Sequence, residues 1–195
     1  MLTHMQDRLS VVKRWGVVRT IQEQSVAEHS FRVALIAEKI ARQWFNATPA
    51  QAFFVLHHAL RHDELEAVSG DFPSIIKDLV DEDAVKARYA DQFEDDVEVT
   101  PMVRNVVKLA DKMEAMLFMV TEQALGNTTV NAVVVNLLDN TRRFIAKSFP
   151  EVSEQFEHWA NQNWAEIIYC NPMDRRHGYA ADKVDDTIGA NWGTT

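Results

Sequence analysis

Residues 52–73 read AFFVLHHALRHDELEAVSGDFP, and the reading of this stretch decides the fold. Val55, Leu56 and Ala59 recur at helical spacing, and continuing the period brings His62, Asp63 and Glu66 onto the same apolar face. Thr48-Pro49-Ala50-Gln51 supplies a start signal: threonine as cap, proline at the first helical position, glutamine closing a capping box. Ser69-Gly70 supplies a stop, so a helix is expected over about 49–68. Ionisable side chains on a core face must find partners there, because burying an uncompensated charge is costly.

The same pattern recurs on both sides of this helix. Ser25-Val26-Ala27-Glu28 forms a capping box, and Val26, His29, Val33, Ile36, Ala37, Ile40 and Trp44 line one face of a helix over about 26–45. Thr100-Pro101 opens a third, over about 101–125, with Val103, Val106, Val107, Ala110, Ala115 and Leu117 inward and Gly126-Asn127 as the stop. Two further helices are expected over about 129–148 and 151–169, ending before Pro150 and Asn171-Pro172. The acidic segment from Lys77 to Glu98 reads as one or two short exposed helices. The tail from 172 to 195 has weak periodicity. With no repeat and no strand pattern, the expected fold is all-α, a bundle of about six to eight helices in a single domain over 1–195.

Composition fits this class and narrows the partners. The chain has 195 residues, 47% hydrophobic and 25% charged, with only 6 glycines and 5 prolines. A net charge of −9 disfavours nucleic-acid polymers and anionic membranes as partners. The start, MLTHMQDRLS, has no signal-peptide character and no apolar run reaches bilayer length, so a cytoplasmic location is expected. Cys170 alone cannot form an internal disulfide and reads as a small buried residue.

Three inward faces carry chemistry that packing does not need. His29 lies on the first, His62, Asp63 and Glu66 on the second, and Asp111 on the third. One divalent cation shared by His29, His62, Asp63 and Asp111 resolves the cost, and two imidazoles with two carboxylates suit zinc, cobalt, manganese or iron. A single core histidine is usually just hydrogen-bonded, and Glu28 is explained by its capping box. His57 and His58 read as ordinary. A metal so held lowers the pKa of water and polarises a phosphoryl oxygen, which makes hydrolysis the natural reaction. Glu66, one turn beyond His62, and Asp71, beyond the glycine break, could orient the water or move its proton. Glu66 could equally hold a histidine tautomer.

The pattern His29, then His62-Asp63, then Asp111 resembles the signature of the HD-domain metal-dependent phosphohydrolases, an all-α superfamily. The blocks RWGVVRTIQEQSVAEHS, HDELEAVSGDFP and VVKLADKMEA, spread over about 10–125, resemble those of the YfbR-type 5′-deoxynucleotidases and the phage dATP triphosphohydrolases of the DatZ type. That region would be the metal-site core, and 126–195 the C-terminal helices and tail.

The resemblance implies that His29, His62, Asp63 and Asp111 bind a divalent metal (zinc, cobalt or manganese, with magnesium accompanying a triphosphate). It implies that Glu66 and Asp71 serve the attacking water. Arg14 and Trp15 would contact phosphate and sugar or base, Phe72, Pro73 and Ser74 would line the nucleotide, and Lys77 and Lys108 would reach phosphate. The RWGV sequence and the short segment between Asp63 and Asp111 favour the DatZ type, which would release triphosphate from dATP by attack at the α-phosphorus. Val17 would then shape the base pocket against a purine carrying an added 2-amino group. The alternatives are a 5′-deoxynucleotidase acting on deoxynucleoside monophosphates, a nucleotide-binding HD protein without hydrolysis, and a structural metal staple. A homo-oligomer is implied by the same resemblance.

Overall fold

The computed structural model describes residues 3–73, 79, 81–89 and 99–169. In chain order the helices are α1 (His4–Arg8), α2 (Val26–Gln43), α3 (Pro49–Arg61), α4 (Glu66–Ser69), α5 (Glu82–Arg88), α6 (Pro101–Ala124), α7 (Asn131–Ser148) and α8 (Ser153–Tyr169). Among the described residues there is no strand, only an isolated bridge between Lys13 and Ser25. The fold is an all-α bundle. No helix among the described residues is long and apolar enough to cross a membrane.

The start signals act as read. Ser25 and Thr48 each complete a capping box, with Glu28 and Gln51 respectively, and Thr100 caps α6 through the Val103 amide. Gly126, at φ 94°, ends α6 in the left-handed region that glycine enters without steric cost. A 3-10 turn precedes each of α7 and α8, so these helices begin slightly later than expected. The short exposed helix expected in the acidic segment is α5.

Helix α6 is the centre of the molecule, since α2, α3, α7 and α8 all pack on it. Val106, Leu109, Ala110, Met113, Met116 and Met119 are buried along it. Val33, Ala37 and Ile40 of α2 and Val55 and Ala59 of α3 meet them in one apolar core. A second, smaller core joins Met5, Leu9, Val26 and Ala67 under α1.

Two expectations change. Helix α1 was not anticipated, although Thr3 and Gln6 form its capping box. The helix expected to run on to residue 68 instead ends at Arg61. Beyond it the chain tightens into bonds between residues three apart, from the Glu64 amide to Arg61, Glu66 to Asp63 and Ala67 to Glu64. Local side-chain bonds favour this tighter turn. Arg61 is bonded to Glu64 at 2.9 Å, and His62 Nδ1 to the Ala59 carbonyl at 2.7 Å. Ser74, Lys77, Cys170 and the tail from 172 lie outside the described residues.

Candidate metal centre and substrate loop

Three packed elements bring the predicted ligands together. His29 comes from the first turn of α2, His62 and Asp63 from the turn after α3, and Asp111 from the middle of α6. Ligand atoms of His29, His62 and Asp111 lie within 4.8 Å of one another, a spacing that can hold a metal ion. His29 Nε2 is 3.2 Å from Asp111 Oδ1 and 3.5 Å from Asp63 Oδ2. His62 Nε2 is 3.3 Å from the same Asp63 oxygen.

The two imidazoles are prepared for a cation. His62 Nδ1 donates to the Ala59 carbonyl at 2.7 Å, and His29 Nδ1 donates to Glu114 Oε2 at 2.6 Å. With Nδ1 carrying the proton in each ring, Nε2 turns its lone pair toward the cluster. Both Nε2 atoms are buried and make no hydrogen bond. A polar atom left so in a protein interior calls for a partner, and here the shared partner fitting the donor set is a divalent cation.

Electrostatics agree. Burial disfavours a charged imidazole at His29, yet the carboxylates of Asp111, Asp63 and Glu114 around it outweigh burial and raise its pKa to about 10. Burial likewise opposes ionisation of Asp111, but the neighbouring His29 imidazole holds its carboxyl below the ordinary value. The carboxylates thus favour positive charge at this point, which a proton or a metal can supply.

A loop from Lys13 to Ser25 covers one side of the cluster, closed by bonds from the Arg14 amide to Gln24 O and from the Val26 amide to Val12 O. Arg14 reaches inward: Nη1 is 3.4 Å from Glu114 Oε2 and Nη2 is 3.8 Å from Asp111 Oδ1. Its Nη1 is also 2.5 Å from His29 Nδ1. With the proton assigned to Nδ1, this nitrogen and Nη1 converge as donors on Glu114 Oε2, which can only accept.

Trp15 adopts φ 65°, an uncommon conformation for a large side chain, of the kind that collects at functional sites. Asp71 Oδ2 accepts from its amide at 3.1 Å, and its ring is stacked on Phe118 with centroids 5.7 Å apart.

The other expected site residues are placed unevenly. Glu66 is buried on α4. Asp71 is committed to the Trp15 backbone in this structure. Phe72 and Pro73 are half-buried beyond Gly70. Lys108 is exposed, three residues before Asp111, with its ammonium 6.0 Å from the centre of the Phe144 ring. Val17 is 76% exposed and is not brought to the cluster. Glu114 and Gln24, both buried at the site, were not anticipated. Glu114 had a legible signal: it follows Ala110 by four and Val107 by seven, on the apolar period of α6, where a carboxylate is as anomalous as Asp111. Gln24 had none.

Comparison with known proteins follows the same lines. A family model described as 5′-deoxynucleotidase YfbR-like matches residues 2–82. The 5′-deoxynucleotidase YfbR of Photorhabdus temperata is 28% identical over 155 residues, covering 67% of this chain and 78% of that protein. A 5′-deoxynucleotidase of Shewanella oneidensis is 26% identical over 147 residues, covering 64% and 75%. Among solved structures, the cyanophage S-2L HD phosphohydrolase DatZ, bound to dA and one catalytic Zn2+ ion, matches with a TM-score of 0.63. That match is 24% identical and covers 86% of this chain and 96% of the other, a likeness of fold.

Proposed function

We propose that this chain belongs to the HD-domain phosphohydrolase group that includes the YfbR-like 5′-deoxynucleotidases and DatZ, and that it is a metal-dependent 5′-deoxynucleotidase. Its reaction would release phosphate from deoxynucleoside monophosphates. The carrying observation is the pair of buried Nε2 atoms of His29 and His62, tautomer-fixed and without hydrogen bonds, beside Asp63 and Asp111. The matched family model and the curated relatives of similar length favour this substrate class over dATP, which reverses the preference drawn from RWGV.

In this reading His29, His62, Asp63 and Asp111 hold a divalent metal. Such a metal, when bound, activates water and polarises the phosphoryl oxygen. The protein's own groups do the rest. Buried Glu66 accepts the proton of the attacking water. Arg14, already between Asp111 and Glu114, exchanges carboxylate for the phosphate oxygens, which a guanidinium matches in geometry. Trp15, held by Asp71 and Phe118, forms a fixed wall for sugar or base. Phe72, Pro73 and Ser74 follow in the chain as candidates to line the nucleotide, with Lys77 and Lys108 as candidates for phosphate.

A dATP triphosphohydrolase is the second reading, resting on the RWGV resemblance and on the dA bound to DatZ, a neighbour in fold. Full-length protein with Co2+, Mn2+ or Zn2+ is offered deoxynucleoside mono- and triphosphates, and phosphate, pyrophosphate and triphosphate are resolved. Phosphate from several monophosphates, with triphosphates intact, is expected. Triphosphate released from dATP faster than from dGTP or dCTP would replace it with the second reading, and no hydrolysis of any nucleotide would overturn both.

A further inference from the structure

Glu114 has no solvent exposure, and its two oxygens face different parts of the site. Oε2 accepts from His29 Nδ1 at 2.6 Å, with Arg14 Nη1 at 3.4 Å. Oε1 accepts from Gln24 Nε2 at 2.7 Å, with Arg32 Nε at 3.2 Å. Gln24, itself 3% exposed, accepts at its own Oε1 from Trp15 Nε1 at 3.1 Å. One file of hydrogen bonds therefore runs from the indole of the substrate loop to the imidazole of a candidate metal ligand.

We propose that Glu114 is a positioning residue which, through Gln24, couples the Trp15 loop to the His29 imidazole. The inference rests on the metal reading of the site given above. Glu114 orients His29 at one end, keeping the proton on Nδ1, and at the other it orients the Gln24 amide so that its oxygen faces the indole. Substrate held against Trp15 and metal held by His29 are then linked through one buried carboxylate.

The polarity of the file makes this specific. Trp15 donates to Gln24, Gln24 donates to Glu114, and His29 donates to Glu114, so position 114 takes donors on both sides. An amide there turns an N–H onto an N–H at one end, whichever way it flips. Exchanging the two side chains removes the conflict within the file, and Arg32, whose side chain is 42% exposed, has solvent to turn to. A glutamine at 114 can accept from His29 and donate to a glutamate at 24, which in turn accepts from Trp15.

The test titrates full-length protein with Co2+ by absorbance and chelator competition, and measures kcat and KM with the hydrolysed nucleotide. Glu114→Gln should weaken Co2+ binding by about 10–100-fold, the usual cost of losing a group that orients a ligand. The double variant Glu114→Gln/Gln24→Glu should recover about tenfold or more of that loss, the non-additivity of coupled neighbours. A double variant no better than the sum of its single changes overturns the proposal. Gln24→Met leaves Glu114 and His29 in place, so it decides the Trp15 end even where Glu114→Gln does not fold. It should keep Co2+ affinity and raise KM, and an unchanged KM would overturn the coupling. Wild-type protein that fails to bind Co2+ removes the metal reading itself, whereas wild-type protein that binds Co2+ without hydrolysing any nucleotide leaves the Co2+ comparison decisive.

Discussion

Individual side chains at this site divide by whether they face the reaction or hold something that does. Glu66 is buried on α4, three residues after Asp63, and the proposed mechanism gives it the water's proton. Glu66→Gln should therefore lower kcat by about 10²–10⁴-fold while leaving metal content intact. Metal lost from that variant, measured by elemental analysis, would make Glu66 a support for the ligands instead. Asp63→Ala should lose both metal and turnover, and an unaltered rate would place the chemistry elsewhere. Asp71 was expected to serve the water as well, but its carboxylate accepts from the Trp15 amide. Asp71→Ala is accordingly expected to raise KM more than it lowers kcat, because it frees a loop residue at φ 65°. A fall in kcat with KM unchanged would return Asp71 to the water.

At the scale of elements, caps and buried polar anchors fix where each ligand points. Thr48 caps α3 through the Gln51 amide at 3.3 Å, and Thr48→Ala should cost about 1 kcal/mol, read as a lower denaturant midpoint at unchanged slope. Glu122, fully buried on α6, accepts from the amides of Ile21 and Gln22 at 2.6 and 2.8 Å and from Asn127 at 2.8 Å. It thereby pins the far side of the Lys13–Ser25 loop to the end of the central helix. Glu122→Leu strands these donors, at about 1–3 kcal/mol for each left unsatisfied. The expected result is a protein destabilised in urea whose KM rises along with it. The capping boxes of α2 and α3 were legible because they depend on residues three apart, as was the end of α6 at Gly126. The tight turn at His62 was not legible, because extending a helical period assumes that the backbone bonds stay four residues apart.

For the molecule as a whole, the balance between apolar core and charged centre sets the response to metal. Asp63, Asp111 and Glu114 gather around His29, and the neighbouring Arg14 and Arg32 offset only part of that negative charge. A cation that binds the folded state alone stabilises it by mass action, about 2.7 kcal/mol at a free concentration 100 times its Kd. Adding Co2+, Mn2+ or Zn2+ to chelator-treated protein should raise the thermal midpoint in a concentration-dependent way, and EDTA should reverse it. Mg2+ should do less, since nitrogen ligands suit it poorly. A midpoint indifferent to every ion would contradict the metal reading. The effect should shrink strongly in Asp63→Ala, which separates binding at this centre from weak association with the acidic surface.

The all-α class, three of the main helix starts and the inward period that singles out His29, His62, Asp63 and Asp111 follow from the sequence by itself, because they are local: spacing along a helix face and caps three residues away. Tertiary structure alone decided how these groups are used. It placed Asp71 under the Trp15 backbone, left Val17 in solvent, turned Arg14 inward and drew Gln24 and Glu114 into one hydrogen-bonded file with His29. Those partners are 56 to 100 residues apart for Asp71, Arg14, Gln24 and Glu114. No periodicity reaches so far, and only the packing of the Lys13–Ser25 loop against α6 and against the segment after Gly70 brings them within bonding distance.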